Sequence, residues 1–306
     1  MPLTQTLHRI STNVRFFAGS LLLPEFAAGL AERVFLTPPK PRPGESAFFD
    51  FLDARASYVE HRGRHLASWR WGPADAPAVL LAHGWGGHAA QMRGFVAPLL
   101  AAGYRVIAYD QPAHGMSEGR VTGLPDFAEA LAAVARHHGG VHGIVAHSLG
   151  AAGAAVAIAR AQSSASRGLT PRRVVLIGAP SDFVGYTRQF ARWHWMPERL
   201  RGLMQAAIEE RFGVAMAELE LARLAPRLRT PALLIHDLRD PVAPWAEGAR
   251  VAGAGPGARR LPPQGRGPGR ILESAAATRA AADFISGRSD VAPLAEPALP
   301  NPAPLY

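Results

Sequence analysis

Hydrophobic positions along this chain follow two spacings that take turns. Short runs at 78–82, 105–109, 143–147, 173–177 and 232–235 are apolar at nearly every position. A strand that is apolar on both sides is one buried on both faces of a sheet. Segments 91–102 and 124–138 instead space their apolar residues as a helix does, the first closing at Gly103, and 151–161 reads as a helix of small residues. That spacing predicts helices. Residues 58–60 and 66–71, joined through Arg62-Gly63-Arg64, read as two strands and a turn. Strands alternating with helices predict an α/β fold with a mostly parallel central sheet flanked by helices.

The rhythm breaks between Ser181 and Thr230. That stretch is helical in pattern, rich in Arg, Trp, Phe and Met, and has no strand candidate. It predicts a helical cap at 181–229 above the carboxyl ends of the strands, inserted into a core of 51–180 and 230–286. A last helix is expected over 274–285, and the Pro/Ala-rich residues 287–306 as a disordered tail. Residues 1–50 read as a helical arm followed by the stiff connector Thr37-Pro38-Pro39-Lys40-Pro41-Arg42-Pro43-Gly44. The apolar run 16–23, preceded by Arg9 and Arg15, stops at Pro24-Glu25. It is far shorter than the ~20 residues of a membrane span, and it reads as an amphipathic arm rather than a signal peptide. No internal repeat is visible.

Composition narrows the class. A chain of 306 residues has room for a large core, burying roughly 75% of its unfolded surface. Hydrophobic residues at 48% and charged residues at 19% fit a globular protein, for which a cytoplasmic location is expected. The formal charge is +9, yet Lys40 is the only lysine and the arginines are scattered, with no dense basic run. Nucleic acid is therefore not an expected partner. The chain has no cysteine, which removes disulfides, thiolate metal sites and a cysteine nucleophile.

Chemistry enters at Ala146-His147-Ser148-Leu149-Gly150, a strand-to-helix turn. A serine on so sharp a turn needs small neighbours two residues before and after, which Ala146 and Gly150 supply. The helix that follows would aim its amino-terminal dipole at the serine. Taken alone, the motif also fits an ordinary serine N-cap after a strand. Two more segments follow strands: His83-Gly84-Trp85-Gly86-Gly87 and Tyr109-Asp110-Gln111-Pro112-Ala113-His114-Gly115.

Together these segments, over about residues 55–285, resemble the α/β-hydrolase superfamily in its single-domain, esterase-like branch. The resemblance implies that Ser148 is the nucleophile and that the N–H groups of Trp85 and Leu149 form an oxyanion hole. It implies a loop-holding role for His83 and Asp110. His236-Asp237-Leu238-Arg239-Asp240-Pro241 matches the acid-bearing loop, with Asp240 as the triad acid. The family next expects a histidine in a Gly-x-Gly-His loop. This chain has Gln264-Gly265-Arg266-Gly267-Pro268-Gly269-Arg270, with Pro268 in the histidine's slot and no histidine after His236.

Proline cannot serve as a base. Three readings stay open: an inactive relative, a substitute such as His88, His114 or His194, or a local frame error around 264–274. His147 adjoins the serine, but successive strand side chains alternate in direction, which argues against it as the base. Tyr186, Phe190, Trp193 and Met196 are expected to line an apolar pocket above Ser148, although the same spacing suits a cap interior. The resulting expectation is a cofactor-free and metal-free serine esterase or thioesterase for small apolar ester-like molecules, impaired by its incomplete triad. The alternative is an inactive binding or scaffold protein on the same fold.

Overall fold

The computed structural model describes residues 13, 16, 19–40, 54–163, 169–237, 240, 244, 247–248, 251, 258–261 and 270–288, with backbone alone at 258–261 and 270. Eight strands form one sheet. They are β1 Arg55–His61, β2 Arg64–Trp71, β3 Ala78–Ala82, β4 Arg105–Tyr109, β5 Gly143–His147, β6 Arg173–Ile177, β7 Ala232–Ile235 and β8 Ala258–Leu261. Their spatial order is β1-β2-β4-β3-β5-β6-β7-β8. The β1–β2 and β2–β4 pairs are antiparallel and all the others parallel. Arg62 (φ 53°) and Gly63 (φ 69°) both take left-handed backbone between β1 and β2. That two-residue geometry matches the twist of the strands it joins.

The helices are α1 Pro24–Phe35, α2 Val96–Ala101, α3 Leu124–His137, α4 Leu149–Ser163, α5 Phe183–Trp193, α6 Glu198–Phe212, α7 Leu221–Leu224 and α8 Ala275–Ser286. The apolar strands divide their side chains between two covering layers. Leu80, Ile107, Ile144, Val174 and Leu234 pack against α3 and α4 through Leu131, Val134, Val156 and Ile158. Their neighbours Val79, Leu81, Val106, Val145, Val175 and Leu233 pack on the other face with Phe95, Leu99, Phe284 and Ile285. Burial on both sides is why these strands show no polar alternation.

Residues 91–102 depart from the single helix their spacing predicts. A 3₁₀ turn, Ala89–Phe95, precedes the short α2. Within it, a Cβ on Gly94 would come within 2.7 Å of the Leu272 carbonyl oxygen. Glycine allows this turn to close on the segment before α8, and it weakens a longer helix at that point.

Between β6 and β7 the chain is helical, and α5, α6 and α7 with two 3₁₀ turns account for its regular structure. The arm returns to these helices. Ala27, Ala28 and Ala31 of α1 are buried together with Leu200, Met204 and Ile208 of α6. Glu32, also on α1, is ion-paired with Arg211. Beyond residue 288 the expected tail lies outside the described residues.

Candidate active site

Ser148 sits between β5 and α4 with φ 51°, a backbone region unfavourable for a residue with a Cβ. The turn is held on both sides. The Ser148 N–H donates to the Ile177 carbonyl at 2.8 Å, and the Ser148 carbonyl accepts from Ala151 N–H (2.9 Å) and Ala152 N–H (3.2 Å). A Cβ on Gly150 would lie 2.3 Å from the His83 carbonyl oxygen and 2.9 Å from that of Ala82. One on Gly84 would lie 2.6 Å from the Ser148 Cβ. Glycine at both places lets the loop after β3 press against the serine.

That contact sets the two candidate oxyanion donors. Leu149 opens α4, so its N–H has no partner within the helix. Trp85 directly follows Gly84, and its indole lies near His114 (5.4 Å) and Phe127 (6.4 Å between ring centroids).

A network of polar struts braces this loop. His83 Nε2 accepts the Gln111 N–H at 2.9 Å, and Nδ1 donates to the Gly84 carbonyl at 2.8 Å. Asp110 Oδ1 accepts the Ala89 N–H and Oδ2 the Met116 N–H, each at 2.7 Å. Burial raises the Asp110 carboxyl to about 6, against the opposing pull of those two bonds. His114 Nε2 accepts the Gly86 N–H at 2.9 Å, and Nδ1 donates to the Pro112 carbonyl at 2.9 Å. Burial brings His114 down to about 4 and His83 well below its ordinary value. Both rings are therefore neutral at pH 7, each with one nitrogen donating and the other accepting.

The carboxylate side is built at the ends of β6 and β7. The Gly178 N–H donates to the Ile235 carbonyl at 2.8 Å. Gly178 takes φ 56°, and a Cβ there would lie 3.4 Å from Asp240 Oδ2 and 4.0 Å from His147 Nε2. Asp240 is buried, and its N–H donates to the Asp237 carbonyl at 3.3 Å. His147 is brought down to about 4 by burial and by the nearby His236. Tyr186 is raised by burial and by the carboxylates of Glu247, Asp240 and Asp182. Glu247 Oε2 also accepts the N–H groups of Ser181 (2.5 Å) and Asp182 (3.2 Å), anchoring the start of α5.

The four aromatic and Met positions expected over the serine separate. Tyr186 is placed on the Asp240 side. Phe190 and Met196 join the cluster between α5, α6 and the arm, where Phe190 meets Phe35 at 5.2 Å. Trp193 is 63% exposed. Sequence pattern marked these residues as apolar helix positions but could not say which element would return to cover them. Glu247 leaves no signal in the sequence because the N–H groups it holds lie far along the chain, and nothing local marks His114 as a strut to Gly86.

Among the described residues, no side chain hydrogen-bonds the Ser148 hydroxyl. Of the alternative histidines, His114 is committed at both nitrogens, and His194 Nδ1 lies 3.0 Å from Asn13 Oδ1 beside the arm. His88 is buried at the start of the Ala89–Phe95 turn. Pro268 and most of its loop lie outside the described residues.

Residues 79–302 match the Alpha/beta hydrolase family. A non-heme chloroperoxidase of Streptomyces lividans is 28% identical over 224 residues, 58% of this chain and 80% of that one. A bifunctional esterase/perhydrolase of Acinetobacter calcoaceticus is 35% identical over 95 residues, 29% of this chain and 34% of that enzyme. The esterase PF2001 of Pyrococcus furiosus superposes with a TM-score of 0.59 at 18% identity, covering 82% of this chain and 97% of its own. With the family matched from β3 onward and the sheet of that fold in place, the chain belongs to the α/β-hydrolase family.

Proposed function

We propose that this is a serine-hydrolase site laid out for acyl transfer from small apolar esters or thioesters to water, with turnover held low by its incomplete triad. The observation that carries the reading is the position of Ser148, strained at φ 51° with Gly84 against its Cβ. In this reading Ser148 Oγ attacks the acyl carbon, while the N–H groups of Leu149 and Trp85 receive the developing oxyanion. Such donors typically contribute ~10²–10³ each to rate. Asp240 would orient an imidazole and stabilise its charged form. The esterase names of the relatives support the substrate class. Tyr186, on the Asp240 side, would meet the acyl group.

The reason for low turnover is chemical. Without a base the serine proton has no acceptor, and loss of the serine or histidine elsewhere costs roughly 10⁶ in turnover. The Ser148 hydroxyl has no hydrogen-bond partner among the described residues, and with His83 and His114 tied up as struts this also favours a second reading. In that reading the fold keeps a pocket and binds ligands without turning them over.

A fluorophosphonate probe separates these. The first reading expects faint labelling of the natural chain, strong labelling of Pro268→His, and none in either once Ser148→Ala is added. Silence in Pro268→His supports the binding reading instead. Labelling of the natural chain at the rate of a working hydrolase would show that a base is present after all.

A further inference from the structure

The arm leaves large apolar side chains in water beside the face it buries. Ala27, Ala28 and Ala31 are buried with α6. Just before this helix and in its first turn, Leu21 (71% exposed), Leu22 (78%), Leu23 (63%) and Phe26 (74%) face water. A helix on a water-facing surface normally presents polar residues there.

The arm also reaches the end of α5. Phe16 meets Phe190 and His194 at centroid distances of 6.4 and 5.6 Å. Beside them Trp193 and Trp195 stand 63% and 67% exposed. Trp195 is unusual in backbone as well as exposure. The Met196 N–H donates to the Ala191 carbonyl at 2.9 Å and the Trp195 N–H to the Arg192 carbonyl at 3.4 Å. Those two bonds make a Schellman turn, in which the residue in Trp195's place is ordinarily glycine. Trp195 takes that left-handed backbone, at φ 50°, and leaves its indole in water. Neither choice helps the free protein.

We propose that Leu21–Leu23, Phe26, Trp193 and Trp195 seat in the surface layer of a membrane rich in anionic lipid. No helix among the described residues is long and apolar enough to cross a membrane, so the contact is a surface one. Leucine and phenylalanine suit the outer acyl layer, and indoles suit the headgroup level above it. Arg33, Arg192 and Arg199 are exposed on α1, α5 and α6, and the whole chain carries +9. Of the three exposed acids on these elements, Glu25, Glu198 and Glu210, Glu198 is ion-paired to Arg201 at 2.8 Å. Charge also argues against a second copy as the occupant. A two-fold contact would set the same arginines against each other in a chain already at +9.

The test is co-sedimentation of the full chain with phosphatidylcholine vesicles, alone or with about a third phosphatidylserine. Binding to the mixed vesicles is expected, weakening with salt and accompanied by a blue shift of tryptophan emission. Trp195→Gly and Phe26→Ser should each weaken it by about tenfold, the scale of one buried aromatic side chain. Trp195→Gly also relieves the strained turn, so its loss of binding cannot be laid to unfolding. The proposal fails if neither vesicle binds, or if both variants bind as the natural chain does. It fails equally if the chain forms a dimer that Phe26→Ser dissolves while vesicles stay unbound. None of these readouts depends on turnover.

Discussion

Ser148 holds a backbone angle, φ 51°, that costs a residue with a Cβ roughly 1–2 kcal/mol and costs glycine little. Ser148→Gly should therefore raise the unfolding free energy by about 1 kcal/mol, read by urea denaturation, while Ser148→Ala should not. A destabilised Ser148→Gly would mean that the Cβ contact with the Gly84 loop outweighs the strain. The elbow was legible in the sequence because its determinants are local: Ala146, Ser148 and Gly150 lie within five residues. The struts were only half legible. The resemblance gave His83 and Asp110 a loop-holding role, and their bonds to Gln111, Ala89 and Met116 fit it. His114 was read as a possible substitute base, yet its ring bridges Gly86 and Pro112. Nothing in the local pattern distinguishes those two uses of an imidazole.

At the scale of elements, α5 shows where pattern stops informing. Its spacing marks Tyr186, Phe190 and Trp193 as candidates for an apolar face, but the occupant of that face is decided by an arm more than 150 residues away in sequence. The arm takes Phe190 and Met196 and leaves Tyr186 to the Asp240 side. The start of α5 is more local. Asp182 caps it by accepting the Gly185 N–H at 2.7 Å. Asp182→Ala should lower stability by about 1 kcal/mol, and Asp182→Asn should recover most of it. Urea midpoints at unchanged m-value would read the difference. A loss well beyond that size would mean that the grip of Glu247 on the Ser181 and Asp182 N–H groups fails together with the cap.

For the whole molecule, the apolar runs revealed which strands are buried on both faces but not their order, since β4 crosses to the far side of β3. The same burial governs how stability responds to pH. His114, His138 and His147 are each brought to about 4 from 6.5, chiefly by burial, and His83 moves the same way. Each is lower in the folded chain than in the unfolded one. Its contribution is therefore complete above about pH 6.5 and is lost as the pH falls toward 4, because the unfolded chain takes up the proton first. Asp110 opposes this. Its folded value, about 6, lies above the ordinary 3.8, so its contribution is complete below 3.8 and is lost as the pH rises through 6. Six lowered histidines, His61 and His142 included, against one raised carboxyl leave a net fall in stability from pH 7 to pH 5, with each proton worth at most about 1.4 kcal/mol per pH unit. Urea unfolding at the two pH values should show it. His138→Gln keeps a partner for the Ser68 hydroxyl, which now lies 3.2 Å from His138 Nε2, and should flatten the slope by one histidine's share. A stability equal at pH 5 and pH 7 would mean that these rings take up protons as readily in the folded chain as in the unfolded one.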